Sequence, residues 1–180
     1  MRLNSIIKSS RCLTCMYYII NDLLAQQRLK RGNLLTTSGS RHTDLDVTGS
    51  LQYINRIYHD YLTYGNISGF IGNVAEIGPG DNFGVALRIL NSGASHVHAI
   101  DRWTSKRDDL AQFHIYTALS KKYDLSHFFS GNISENSIEK LTYHSGKPAE
   151  TFFRDTETKF NAIVSRAVLE HLYDPISALA

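Results

Sequence analysis

Val74 to Gly84 reads VAEIGPGDNFG: a short apolar run holding one acid, then three glycines spread over seven residues. A glycine turn between a strand and a helix ordinarily cradles a diphosphate, because backbone N–H groups at a helix N-terminus and the helix dipole both favour negative charge. Three features oppose that use here. Glu76, at the end of the strand, brings negative charge toward the turn, Pro79 has no N–H to donate, and Asp81 adds a second carboxylate. The spacing GPGDNFG is GxGxxxG, one residue longer than the dinucleotide fingerprint. A ligand with positive groups removes the conflict, while the glycines still permit close backbone approach.

The elements around this turn follow from hydrophobic period. NVAEI reads as a buried strand, FGVALRILNSG as a helix closed by Gly93, and SHVHAID as a second strand, followed by a helix-like run from Ser105 to Lys122. Strand, turn, helix and strand within about thirty residues make a βαβ unit, which requires a parallel sheet. KLTYHSG is read as the third strand, with HFFSGNI its rival, and FNAIVS as the fourth; a polar helix-like stretch spans Ser134 to Glu139. Upstream, SLQYINRIYHDYLTY carries an apolar stripe at helical spacing, with Ser50 as its N-cap. The class is α/β.

A chain of 180 residues, 42% hydrophobic and 20% charged, has the composition of a globular domain with its own core. Its formal charge of +2 is too small to imply a nucleic-acid partner, but it is unevenly placed. Residues 1–43 hold seven Lys and Arg side chains and a single acid, Asp22, whereas the remainder is net negative. We read 1–46 as a basic N-terminal extension, helical over MYYIINDLLAQQRLK and closed at Gly32, then a mobile link from Leu34 to Asp46 rich in Ser, Thr and Gly. The acid-poor extension has features of an organellar transit peptide, although a basic amphipathic helix resting on the domain or on a partner is preferred. No secretory signal fits, because MYYII is short and runs into Asn21 and Asp22, and no stretch approaches a membrane span; the expected location is cytoplasmic. Cys12 and Cys15 form one CxxC without the second pair that a structural zinc needs, so they are read as free thiols. His96 and His98 share a strand face, and no third metal ligand is near them in the sequence.

With these residues in view, VAEIGPGDNFG resembles motif I of the class I S-adenosylmethionine-dependent methyltransferases, in which the acid and the glycine loop surround the methionine part of the cofactor. The resemblance implies Glu76, Gly78, Gly80 and Gly84 as binding positions. HVHAID ends in Asp101, about twenty residues beyond the loop, where an acid takes the ribose hydroxyls of a nucleoside cofactor; Arg102 and Trp103 beside it are placed to cover the adenine. FNAIVSRAVLEHLYDP is similar to the family's fourth strand and following turn, with Asn161 where an Asp is usual, and Asp174–Pro175 as a helix start. An acid after the third strand, near the adenine amine, is carried to Glu150, with Asn132 as the alternative. If a base is required, His171 is the candidate, with Glu170 similarly placed beyond the carboxyl end of a strand. No metal is needed for methyl transfer from a sulfonium.

The resemblance covers residues 50–180. It implies a Rossmann-like three-layer α/β sandwich with a mainly parallel sheet over 47–180, truncated after its fourth strand, whose bare edge calls for a partner or a missing segment. SRAVL stands where enzymes acting on base amines carry Asn-Pro-Pro-aromatic, so the expected acceptor is a small molecule or a lipid-like compound, with no nucleic acid. Two other readings stay open: an NAD-binding oxidoreductase, and a non-catalytic module that keeps the fold.

Overall fold

The computed structural model describes residues 10–36, 39–169, 172, 174 and 176, and divides the chain into two compact units, Met1–Leu34 and Leu35–Ala180. The first unit is organised on helix α1, Arg11–Lys30, which begins five residues ahead of the expected stretch. It stops where Gly32 takes a positive φ of 69°, with Arg28 and Lys30 in the last turn complementing the helix dipole.

The larger unit begins with β1 (Leu35–Thr36), a 3-10 turn at Arg41–Asp44, and α2 (Val47–Gly65). Then come β2 (Gly72–Ile77), α3 (Gly84–Asn91), β3 (Ala94–Asp101), β4 (Thr104–Ser105) and α4 (Asp109–Tyr123). The last described elements are β5 (Leu141–Ser145), α5 (Ala149–Asp155) and β6 (Ala162–Ser165). The fold is mixed α/β, with parallel sheets and five α-helices among the described residues.

Four strands lie in the order β5-β3-β2-β6, every pair parallel. The chain leaves β2 toward β3 and β5, then returns to add β6 on the other side of β2. In open parallel sheets such a reversal leaves a crevice beyond the carboxyl ends of the two strands it separates. Here those ends are Ile77 of β2 and Ser165 of β6, which pair in register.

Period 2 divides β2 between two faces. Val74 joins Val97, Ala99, Leu141, Tyr143, Ala162 and Val164 in the main core, against Ile54, Ile57 and Tyr58 of α2, Leu87 of α3 and Tyr116 and Leu119 of α4. The opposite face, with Ala75 and Ile100, is covered by Phe152 and Phe153 of α5 and by Phe160. Asn161 fastens the start of β6 to β2: its backbone N–H donates to the Asn73 carbonyl (2.8 Å), and its side-chain oxygen accepts from the Asn73 N–H (3.0 Å). The position that resembles an Asp is therefore structural.

The βαβ unit falls where the sequence places it, and Leu141–Ser145 is the third strand; the rival HFFSGNI forms a 3-10 turn at Ser126–Phe128 and one antiparallel bridge from Phe129 to Ile138. Three local expectations need correction. Helix α2 is capped by Asp46, whose carboxylate accepts the Gly49 N–H at 2.6 Å, while Ser50 is buried inside the first turn. The run expected from Ser105 starts at Asp109 under an Asp108 cap, because Thr104 and Ser105 pair in parallel with Leu35 and Thr36. The helix-like stretch at 134–139 is only a 3-10 turn, Glu135–Ser137.

The largest difference concerns the segment read as a mobile link. Residues 39–44 lie against the glycine turn: the Asp81 N–H donates to the Gly39 carbonyl (3.1 Å), and the Asp81 carboxylate accepts from the backbone N–H groups of His42 (3.0 Å) and Thr43 (3.1 Å) and from the Thr43 hydroxyl (3.3 Å). One buried acid thus holds this polar loop, and the His42 ring rests edge-on against Tyr53 of α2.

Candidate functional site

Glu76 stands one residue before the end of β2, on the face turned to α2, in register with Ala99 on one side and Val164 on the other. It is only 4% exposed, and its Oε2 has no hydrogen-bond partner among the described residues. Burial pushes its carboxyl up to about 8, so at neutral pH the group holds its proton unless a cation is brought to it. Tyr61 of α2 is near enough for Glu76 to help burial raise its phenol, while Arg166 just beyond β6 acts the other way. Arg166 itself pairs with Asp60 of α2 at 2.6 Å. An acid, a phenol and an ion pair thus meet beside the strand reversal.

The turn that follows is held by the protein itself. Of its six N–H donors from Gly78 to Gly84, four are engaged internally: Gly78 to the Ile100 carbonyl (2.8 Å), Asp81 to Gly39, Phe83 to the Tyr116 hydroxyl (3.1 Å) and Gly84 to the Asn82 side chain (2.6 Å). Arg107, a buried side chain with no local motif to mark it, donates to the Gly80 carbonyl (3.0 Å), pairs with Glu135 (3.2 Å) and stacks on Phe83 and Tyr143. Gln112 donates to the Asp81 carbonyl (2.6 Å) and accepts from Asn82. Few donors remain to receive a diphosphate.

The three glycines serve close packing in different ways. Gly78 and Gly80 take positive φ values of 76° and 71°, and a Cβ on Gly80 would lie 2.8 Å from the Gly39 carbonyl oxygen. A Cβ on Gly78 would run into the Val168 side chain, and one on Gly84 into Ile54. Gly84 is buried at the start of α3, where a Cβ would meet Ile54 of α2, so packing against that helix also demands a glycine there. Asp81 is corrected: it is 1% exposed and faces the 39–44 segment, so its charge is met by donors there and is not a second anion turned to the ligand side.

Asp101 ends β3, half-buried; burial pushes its carboxyl up to about 6, opposed by hydrogen bonds from the Trp103 and Arg102 backbone and by Arg107. Arg102 stacks on Trp103 with its guanidinium 5.4 Å from the ring centre. Glu150 lies in the first turn of α5, past the carboxyl end of β5, where it accepts the Asp174 N–H at 3.3 Å; Asn132 sits in the exposed loop before the 3-10 turn at Glu135. The carboxyl ends of β2, β3 and β5 therefore carry Glu76, Asp101 and Glu150 along one edge of the sheet. His171, Glu170 and Pro175 lie outside the described residues.

His96 and His98 do share a face, and β5 adds His144, whose Nε2 is 3.0 Å from His98 Nδ1. Burial and the neighbouring imidazoles draw His98 down to about 4, so the cluster is neutral at physiological pH. Among the described residues no group of three His, Cys, Asp or Glu side chains is arranged to hold a metal ion, and Cys12 and Cys15 are exposed free thiols. No family model matches the chain, and no curated protein or solved structure matches it either.

Proposed function

We propose that the larger unit is the S-adenosylmethionine-binding part of a methyltransferase with a Rossmann-like sheet, acting on a small-molecule or lipid-like acceptor. One observation carries this reading. A buried carboxylate with an unpartnered oxygen lies beside the strand reversal, next to a glycine turn whose donors are mostly engaged within the protein. Such a place suits an ammonium or sulfonium, which favours the ionised form of the acid, and leaves a diphosphate few N–H donors.

On this reading Glu76 faces the cationic methionine end, the Gly78–Gly80 backbone lines its path, and Asp101 receives the ribose hydroxyls, with the Arg102–Trp103 pair toward the base. Glu150 serves as a helix-start acid near the base edge. When bound, the cofactor supplies the electrophilic methyl, so this chain's side chains need only orient, exclude water and accept a proton. Tyr61, whose phenol is raised by burial and by Glu76, is protonated at neutral pH and is a hydrogen-bond donor available to a ligand on the Glu76 side of the crevice. Arg166, fixed by Asp60, is placed to take an anionic group of ligand or acceptor. His171 is the proposed base where the acceptor carries a proton.

Isothermal titration with S-adenosylhomocysteine and, separately, with NADH tests the assignment. Micromolar binding of the sulfur compound with no heat from NADH is expected; the reverse pattern would replace the methyltransferase reading with a dinucleotide-binding one.

A further inference from the structure

We propose that helix α1 docks the protein onto anionic lipid surfaces, lying in the interface with its long axis parallel to the membrane. Over its 20 residues no side chain is buried. Leu13, Met16, Tyr17, Ile20, Leu23 and Leu24 recur three and four residues apart and so form one stripe, and each is between 43% and 59% exposed. The charge around that stripe is one-sided. Arg11 opens the helix, Arg28, Lys30 and Arg31 close it, and Arg2 and Lys8 precede it in the sequence.

Asp22 is the single acid of this region; it lies on the side away from the stripe and accepts from Gln26 at 2.8 Å. An acid-poor helix offers a second copy of itself no counter-charge for its basic ends. A phosphate-bearing lipid surface supplies that charge and also accepts the apolar stripe, with the Tyr17 ring at the boundary between headgroup and chain. The helix is not a span: no helix among the described residues is long and apolar enough to cross a membrane.

The test is flotation of the full chain with vesicles of phosphatidylcholine alone and of phosphatidylcholine with phosphatidylglycerol at roughly 7:3, with sedimentation of the free protein alongside. Partitioning at least about tenfold stronger to the anionic vesicles is expected, weakening as salt is raised. The double substitution Leu23→Glu, Leu24→Glu should abolish it. Arg28→Glu with Lys30→Glu should remove the preference for anionic lipid while leaving the circular dichroism spectrum unchanged. Failure to float with either vesicle, or equal flotation with both, would overturn the proposal. So would a dimer that ignores vesicles and is dissociated by Leu23→Glu.

Discussion

Asp81→Ala should unfold the protein at a markedly lower temperature, with a loss of roughly 3–5 kcal/mol in stability and a fall in Tm of about 6–20 °C. The expectation rests on what the carboxylate accepts. Two backbone N–H groups and one hydroxyl of residues 42 and 43 converge on it, and His42 and Asp81 are both buried. Removing the acceptor takes away three bonds to a charged group, worth up to about 1.5–3 kcal/mol each, and leaves the N–H of buried His42 without its partner, whereas the donors of exposed Thr43 can turn to water. Asp81→Asn keeps one acceptor oxygen and should lie between wild type and alanine. Amide exchange at His42 and Thr43 should accelerate in step. A thermal midpoint within experimental error of wild type would show that the 39–44 segment is held by something else.

The second large effect concerns pH. Burial pushes the Glu76 carboxyl up to about 8 from an ordinary value of 4.5, so the folded state binds its proton more tightly than the unfolded state does. A raised carboxyl has the opposite sign from the usual salt-bridged one. Its contribution is most favourable at low pH, and stability is lost progressively as pH rises from 4.5 to 8. Glu76→Gln keeps the shape without the titration. Relative to wild type the variant should gain nothing at pH 4, and about 3–5 kcal/mol by pH 9, read from urea midpoints. A difference that stays flat across that range would mean the carboxylate is solvated or already paired.

Much of the frame was legible because local patterns and tertiary structure agree. VAEI and HVHAID are short apolar runs flanking a helix that ends at a glycine, and only a parallel pairing joins them over that distance. What escaped reading depends on partners far apart in the chain. TTSGSRHTD looks like a free link because its composition is that of one, yet His42 and Thr43 within it are held by an acid 38 and 39 residues away. For the same reason Asp81 looks like charge presented to a ligand until its partners are seen. Arg107 sits in an unremarkable polar loop, with no local cue that Gly80, Phe83, Glu135 and Tyr143 surround it. The Asp46 cap was readable, since an acid stands immediately before Val47 and three residues before the glycine whose N–H it accepts. Gly84 was read by motif, and its packing against Ile54 could be seen only in the fold.

On the proposed reading the Glu76 carboxyl is neutral until a cationic ligand arrives. Calorimetric titration with S-adenosylhomocysteine at pH 7, repeated in buffers of different ionisation enthalpy, reads the protons exchanged on binding. Wild type should release about one proton per ligand bound, and Glu76→Gln should release none. Binding with no proton release in wild type, or with the same release in both proteins, would contradict it.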